Sequence, residues 1–266
     1  MEKIQAQLRA GWRVFIFILA ALLFFGISMT YFLDRDPLSR RKKFVSNSSR
    51  FARGLLWLFN VRVEVINPPR EEDIFLYVGN HMGFFDVLCL ISVCPACFVT
   101  SREMQETPVL GTITDMGGCI YVERRDRTNI LRELNVIAET LKNGQRVVLY
   151  PEATSTNGEQ VLPFKKTLIM AAGVAGVPLQ PAVFNWKSIE GRPFTFSNRD
   201  SVCWYGDMSF ISAMWRHYQL KETVAEIEFL SPLMISPGDD RAVVAEKAHS
   251  MISKKFRPPS TDTGLH

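Results

Sequence analysis

His81 and Asp86 are the residues of this chain whose types and spacing best fit acid–base chemistry. They follow an apolar run, residues 74–79, that the pattern predicts to be a buried strand. In α/β folds, polar side chains at the carboxyl ends of strands build the sites. A neutral imidazole has a pKa near the working pH, so His81 could take a proton from a hydroxyl while Asp86 fixes the ring's tautomer. For the pair taken alone, a structural histidine beside an incidental acid is the alternative.

The remaining histidines are weaker candidates. His217 lies in a segment with little pattern, His249 on a predicted late helix and His266 at the terminus. A metal site would need more ligands than His81 and Asp86 supply, so we expect no metal.

The five cysteines are an odd number and stand in mostly apolar surroundings, which predicts reduced, buried thiols in a cytoplasmic setting. They are Cys89, Cys94, Cys97, Cys119 and Cys203. The spacing of Cys94 and Cys97 matches a redox motif, but neither a second cysteine pair nor a thioredoxin-like order of elements accompanies it. Redox and zinc chemistry are therefore not expected.

Strands and helices are predicted to alternate along the chain. The expected strands are 61–66, 74–79, 98–100, 119–122, 146–150, 179–184 and 224–230, and the expected helices are 128–143, 167–175 and 239–256. Alternation of this kind indicates βαβ units. We therefore predict an α/β fold with a single mixed, mainly parallel sheet flanked by helices.

The N-terminal part has the composition of a membrane anchor. Residues 14–33 carry no charge and, as a helix, are long enough to cross the ~30 Å hydrocarbon core of a bilayer. The run is long for a cleaved signal peptide, the competing interpretation, and no small-x-small cleavage site is followed by an obviously secreted sequence. A single spanning helix and a helical hairpin that enters one leaflet, broken near Gly26, both fit the pattern. The heavier basic flank follows the run, which favours a body on the cytoplasmic face of the inner or plasma membrane.

Four regions follow: a membrane anchor (1–36), a basic, amphipathic juxtamembrane segment (37–60), a catalytic domain (61–257) and a flexible tail (258–266). The basic cluster at 40–43 could set the orientation or attract anionic lipid headgroups. The helix after it could lie at the membrane surface or pack against the body. The net charge of +4 is small and no basic-aromatic array is present, so no nucleic-acid partner is expected.

Short blocks in a fixed order carry a resemblance over roughly residues 75–185. They are Asn80-His81 with Asp86, Gly118 to Arg124, Tyr150 to Ser155, and Val177 to Pro181. Together they are similar to the blocks of the glycerolipid acyltransferases, the 1-acylglycerol-3-phosphate (lysophosphatidic acid) O-acyltransferase family, which begin with an NHx4D motif. The resemblance makes residues 61–257 an acyltransferase domain.

The resemblance implies a membrane-bound enzyme of phospholipid biosynthesis. It would move a fatty acyl group from acyl-CoA or acyl carrier protein to the free hydroxyl of a lysoglycerolipid, with 1-acylglycerol-3-phosphate as the first candidate acceptor. His81 would be the base and Asp86 its orienting partner, with direct transfer to the hydroxyl and neither metal nor organic cofactor. The partners would be membrane lipids, the lysolipid acceptor and the acyl donor.

The resemblance also assigns acceptor-binding residues. Arg124 and Arg102 would hold a phosphate, because guanidinium groups bind phosphates with bidentate geometry. Ion pairing on the protein surface is the alternative for each arginine. Glu152, Ala153 and Thr154 stand in the block that the family uses for acceptor binding.

Two residues of this third block depart from the family pattern. Ala153 replaces the usual glycine, and Ser155 stands where many members carry an arginine. Lys165 or Lys166 could substitute for that missing cation, although both also fit plain surface lysines. The departures leave other acceptors open, such as a lyso-ornithine lipid or a lysophospholipid. A catalytically silent, lipid-binding membrane protein is the alternative outside the enzymes.

Overall fold

A single sheet forms the centre of the molecule in the computed structural model, which describes residues 1–108, 110–123 and 129–261. Its strands are β1 (Val61–Ile66), β2 (Leu76–Gly79), β3 (Cys97–Ser101), β4 (Ile120–Val122), β5 (Val147–Leu149), β6 (Leu179–Ile189), β7 (Arg192–Pro193) and β8 (Thr223–Phe229). The order is β1-β8-β6-β2-β5-β3-β4, with β7 beside β6. Strands β6, β2, β5, β3 and β4 run parallel to one another. Strand β8 runs antiparallel to β6, and β1 pairs in parallel with β8. The predicted mixed, mainly parallel sheet is confirmed.

Helices cover both faces of the sheet. They are α1 (Glu2–Thr30), α2 (Pro37–Phe59), α3 (Phe84–Val93), α4 (Arg102–Glu106), α5 (Leu110–Asp115), α6 (Ile130–Lys142), α7 (Ala171–Ala175), α8 (Phe210–Gln219) and α9 (Arg241–Lys255). Helices α2, α3 and α8 share one apolar cluster with Tyr77, while α6, α7 and α9 share another with Leu76 and Val78. Strand β2 is thus buried on both faces, which explains its unbroken apolar sequence.

Two segments differ from their sequence predictions. Helix α8 falls in a stretch without a clear pattern, and the helix forms because its buried residues pack onto the sheet layer. The tail predicted to be flexible is held as far as residue 261, since Ser260 donates its N–H to Phe194 and accepts from the N–H of Phe196. Only residues 262–266 of that tail lie outside the described part of the chain.

Helix α2 belongs to the body rather than to a separate juxtamembrane segment. Asp36 caps its first turn by accepting from the N–H groups of Leu38 and Ser39, with proline at the first helical position. Ala52, Leu55 and Phe59 are almost completely buried in the core. Of the two arrangements expected for this helix, packing against the body is therefore the one observed.

Helix α1 lies along the body and is fixed to it at polar points. Arg13 is buried and donates hydrogen bonds to the carbonyl oxygens of Leu58, at 3.1 Å, and Tyr218, at 3.0 Å. Farther along, the side chain of Asn47 in α2 donates to the hydroxyl of Ser28 at 3.0 Å. The helix continues through Gly26, so the break there that one of the two alternatives required is absent. The chain turns instead at residues 31–36, between α1 and α2.

The outer face of α1 is apolar and exposed. Residues Glu2–Leu33 form a helical stretch that is long and apolar enough to cross a membrane, and only 11% of its most apolar window is buried. The large exposed side chains on it include Leu8, Trp12, Phe15, Ile18, Leu22, Leu23 and Leu33. Such a continuous apolar surface is uncommon on soluble proteins and typical of a membrane-contacting face.

Candidate active site

The site lies at the carboxyl ends of two adjacent parallel strands. Val78 of β2 is paired with Leu149 of β5, so the chain leaves both strands at the same edge of the sheet. His81 follows β2 and Glu152 follows β5. The main-chain N–H of His81 donates to Oε1 of Glu152 at 2.7 Å. Sheet topology thus brings the first and third sequence blocks together.

His81 and Asp86 form the pair that the sequence predicts. Nδ1 of His81 lies 3.1 Å from both carboxylate oxygens of Asp86. The side chain of Asp86 is 1% exposed and that of His81 is 21% exposed, so the aspartate is enclosed while the imidazole reaches solvent. A carboxylate can only accept hydrogen bonds, so Nδ1 carries the ring proton and Nε2 keeps a free lone pair. His81 is therefore oriented to accept a proton at Nε2.

Asp86 also fixes the turn between β2 and α3. Its Oδ2 accepts the N–H groups of Met82 at 2.6 Å and Gly83 at 2.9 Å. Asp86 is the third residue of α3, a position where a carboxylate satisfies the unpaired N–H groups of the first turn. One side chain thus both caps the helix and orients His81.

Asn80 and Gly83 shape the turn by which the chain passes from β2 to α3, next to the site. The side chain of Asn80 donates to the carbonyl of Phe184 and accepts its N–H, both at 2.9 Å, as a strand residue would. Gly83 has a φ of +151°, and a Cβ there would lie 2.9 Å from the main-chain nitrogen of Trp204. A side chain at position 83 would therefore push away the segment that covers the start of α3.

Glu152 is buried and committed to main-chain groups. Its Oε1 accepts from His81 and its Oε2 accepts the N–H of Leu162, each at 2.7 Å. Burial raises the pKa of Glu152 to about 7, against the opposing effect of these two hydrogen bonds. Each oxygen accepts one main-chain N–H, so Glu152 links the His81 turn to the loop at Leu162. Its role in acceptor binding, expected from the resemblance, stays a prediction.

Tyr150 and Thr156 also hold His81, and sequence reasoning missed both. The ring of Tyr150 stacks on the imidazole, with centroids 4.3 Å apart and an interplanar angle of 11°. Burial and the nearby Asp86 carboxylate raise the pKa of Tyr150 well above its usual value, so its hydroxyl stays protonated. Thr156 donates its N–H, at 2.9 Å, and its hydroxyl, at 3.1 Å, to the carbonyl oxygen of His81.

The middle of the third block faces outward. Ala153 has a φ of +61°, in the left-handed region that glycine adopts most easily. Its N–H donates to the carbonyl of Tyr150 at 3.1 Å and closes a tight turn. Thr154 is exposed and Ser155 is half-buried. The glycine usual in this block would fit the turn without strain, which explains the family's preference.

The cations expected near an acceptor headgroup are placed differently. Arg102 is exposed at the start of α4, directly after β3, and shares the sheet edge with His81 and Glu152. Arg124 lies outside the described residues. Lys165 is exposed, and its N–H donates to the carbonyl of Pro151 at 2.8 Å, so it lies beside the third block. The main chain of a lysine is therefore adjacent to the block in which Ser155 replaces the arginine.

The other described histidines occupy structural positions. His217 is fully buried and stacks on Phe85 with ring centroids 3.5 Å apart. Burial lowers the pKa of His217 to about 3, so it stays neutral. His249 is within hydrogen-bonding distance, 3.1 Å, of the carbonyl of Val161. In the described part of the chain, no group of three or more histidine, cysteine or acidic side chains is arranged to hold a metal ion.

Comparison with known proteins identifies the family. A family model described as Acyltransferase matches residues 60–185, the region that contains every block named above. Residues 60–185 therefore form an acyltransferase-family domain. A 1-acyl-sn-glycerol-3-phosphate acyltransferase of Neisseria meningitidis is 26% identical over 201 residues, which cover 75% of this chain and 76% of the relative. A lyso-ornithine lipid O-acyltransferase of Brucella abortus is 27% identical over 209 residues, which cover 76% of this chain and 78% of the relative.

The fold of this acyltransferase also has a solved counterpart. The crystal structure of the 1-acyl-sn-glycerophosphate acyltransferase of Thermotoga maritima matches with a TM-score of 0.67 over 96% of both chains. Sequence identity to it is 19%, so the likeness concerns the fold alone. The family assignment confirms the resemblance read from the sequence blocks. It also favours an enzyme over the catalytically silent lipid-binding protein.

The strained turn at Ala153 gives a stability prediction. Substituting Ala153→Gly removes about 1 kcal/mol of left-handed strain, which offsets the entropy that glycine adds to the unfolded chain. We expect the free energy of unfolding to stay equal or to rise by up to about 1 kcal/mol. The matched control is Ala172→Gly in α7, where the alanine is fully buried. That change should destabilise the protein by about 1 kcal/mol or more, as measured by chemical denaturation in detergent. Equal destabilisation by both substitutions would contradict the strain at Ala153.

Proposed function

We propose that this acyltransferase moves a fatty acyl group from acyl-CoA or acyl carrier protein to the free hydroxyl of a lysolipid, with 1-acylglycerol-3-phosphate as the first candidate acceptor. The observation that carries the proposal is the geometry of His81, whose Nδ1 is bound by buried Asp86 and whose side chain is 21% exposed, with Nε2 left to accept a proton. Two bacterial relatives are named 1-acyl-sn-glycerol-3-phosphate acyltransferases. The role in phospholipid biosynthesis follows from that acceptor.

In the proposed reaction, Nε2 of His81 takes the proton of the acceptor hydroxyl as its oxygen attacks the thioester carbonyl. Asp86 stabilises the imidazolium that forms. When the tetrahedral intermediate collapses, the carbon–sulfur bond breaks and the leaving thiolate receives the proton from His81. The acceptor hydroxyl takes the place that a serine has in a Ser-His-Asp triad, so no residue of the protein becomes acylated.

The cysteines support direct transfer. A cysteine nucleophile needs a lowered pKa to supply thiolate at neutral pH. Burial instead raises the pKa of each of the five thiols, to about 12 for Cys97 and Cys119. The chemistry proposed here needs neither a metal nor an organic cofactor, because a thioester is already an activated acyl group.

The acceptor headgroup would bind along the same sheet edge. Arg102 and Lys165 are exposed cations beside the site, and Arg124 is the candidate contributed by the second block. Two or more cations would bind a phosphate by charge-assisted hydrogen bonds. Thr154, exposed next to the turn at Ala153, could donate a further hydrogen bond to the headgroup.

A lyso-ornithine lipid is the second candidate acceptor. Ser155 in place of the arginine removes one phosphate contact, and several relatives are named lyso-ornithine lipid O-acyltransferases. An acceptor without phosphate would need fewer cations at this position. The reaction and the role of His81 are the same for both acceptors.

For the membrane, we propose that α1 lies in one leaflet with the body on the cytoplasmic face. Arg13 ties the first half of α1 to α8, and Ser28 ties the second half to Asn47 of α2. A bilayer-spanning α1 would draw α2, with its basic residues 40–43, into the hydrocarbon. An in-plane helix keeps those charges at the headgroups, where each contributes about 1 kcal/mol of attraction to anionic lipids.

The membrane arrangement is tested by flotation with vesicles of phosphatidylethanolamine and phosphatidylglycerol. The exposed pair Leu22 and Leu23 on α1 is replaced by lysine, with the exposed pair Leu131 and Val243 on α6 and α9 replaced likewise as control. Two charges in the apolar face should weaken vesicle binding about tenfold or more, because each opposes insertion. The control pair should bind like the wild type. Unchanged binding of the α1 variant would contradict the proposal.

The reaction is tested with purified enzyme, a panel of lysolipids and both acyl donors. We expect His81→Ala to abolish diacyl product, and Asp86→Asn to lower kcat by about 10²–10⁴-fold because the ring loses its tautomer and orientation. Glu139→Gln, an exposed residue of α6, is the control and should retain wild-type rates. Full activity of His81→Ala would rule out the mechanism. If only lyso-ornithine lipid in the panel is acylated, that lipid is the acceptor and 1-acylglycerol-3-phosphate is not.

A further inference from the structure

The third sequence block and the residue after it, Thr156, contact His81 on several sides. The main-chain N–H of His81 is bound by Glu152, its main-chain carbonyl by Thr156, and its ring lies flat against Tyr150. These three residues follow β5, about 70 positions away along the chain. His81 itself belongs to the short turn between β2 and α3, which has no regular hydrogen bonding of its own.

We propose that the segment 150–156 is the element that positions the catalytic base, with Tyr150, Glu152 and Thr156 as positioning residues. The proposal rests on the function proposed above, in which His81 is the base. It departs from the acceptor-binding role that the resemblance gives to the whole block. Within the segment, Tyr150, Glu152 and Thr156 turn inward to His81, while Thr154 is exposed.

Segment 150–156 and Asp86 hold different parts of His81. The groups that face the imidazole are the Asp86 carboxylate from α3, the Tyr150 ring and the nearby Glu152 carboxylate. Asp86 binds the ring nitrogen, Tyr150 fixes the plane of the ring by stacking, and Glu152 fixes the main chain of the residue.

The contacts that hold Glu152 extend to the outer layer of helices. Leu162, whose N–H binds the second oxygen of Glu152, follows Val161, whose carbonyl lies 3.1 Å from Nε2 of His249 in α9. The ring of His249 packs edge-on against Phe164, with centroids 5.2 Å apart. Glu152 is thus held between the His81 turn and a loop anchored on α9, which limits the movement of its carboxylate.

Substitutions of the inward-facing and the outward-facing residues of segment 150–156 should have different kinetic effects. Loss of an inward residue disturbs the base, so Tyr150→Leu and Glu152→Gln should lower kcat about tenfold or more and leave the KM for acceptor within about threefold. Loss of the outward hydroxyl in Thr154→Ala should raise the KM for acceptor at nearly constant kcat. Tyr150→Phe keeps the stacked ring but loses the hydroxyl that bonds Asp86, so it should recover part of the kcat lost in Tyr150→Leu.

A readout without turnover separates this proposal from the proposed function. The four histidines allow the His81 resonance to be assigned in the full-length protein by its loss in His81→Ala. We expect the ring signals of His81, followed by NMR in detergent at one fixed pH, to broaden or split in Tyr150→Leu and Glu152→Gln, because the ring then samples more than one orientation. They should stay as sharp as in the wild type in Tyr150→Phe, which keeps the stacked ring, and in the control Glu139→Gln.

The outcomes are distinct. Ring signals of His81 that stay sharp in both Tyr150→Leu and Glu152→Gln, or that broaden equally in Tyr150→Phe and Tyr150→Leu, would overturn the positioning role even if the enzyme is active. The predicted broadening in an enzyme inactive on every lysolipid would support the positioning role and reject the function. Circular dichroism identifies variants that do not fold. If Glu152→Gln is one of them, the comparison of Tyr150→Leu with Tyr150→Phe decides.

Discussion

The site depends on one buried carboxylate. Asp86 binds the imidazole of His81 and the main-chain N–H groups of Met82 and Gly83. The start of helix α3 and the orientation of His81 are therefore coupled through one side chain. This geometry requires α3 to begin within a few residues of β2. It also requires a residue without Cβ at position 83, because the chain passes closely under Trp204. The spacing between the histidine and the aspartate is thus imposed by a helix cap as well as by chemistry.

The sequence predicted the parts of the site that are encoded locally. The apolar runs indicated β2 and β5, and the parallel sheet brings the residues after them, His81 and Glu152, to one edge. What the sequence could not predict is how residues about 70 positions apart divide their roles. The stacking of Tyr150 on His81 and the occupation of both Glu152 oxygens by main-chain groups have no periodic signal. A motif identifies residues that meet, but burial and hydrogen bonding decide which of them can reach a substrate.

In the N-terminal region, too, the sequence does not predict a long-range contact. Arg13 counts in the sequence only as one of the basic residues before the apolar run, yet it is buried and binds carbonyl oxygens at the end of α8 and in α2. The last carbonyls of a helix have no partners within it, and a guanidinium group satisfies several of them at once. The apolar helix is consequently part of the enzyme's body. Its apolar outer face, rather than its length alone, indicates how it would meet a membrane.

The central claim is that neutral His81, held by Asp86 and the third block, accepts the proton of the acceptor hydroxyl. The most direct measurement compares the pH dependence of single-turnover acyl transfer with the NMR titration of His81 in the same preparation. The account predicts that the rate rises as His81 loses its proton, with a midpoint within about 0.3 unit of the pKa of His81. A rate that does not change across the range in which His81 titrates would contradict the account.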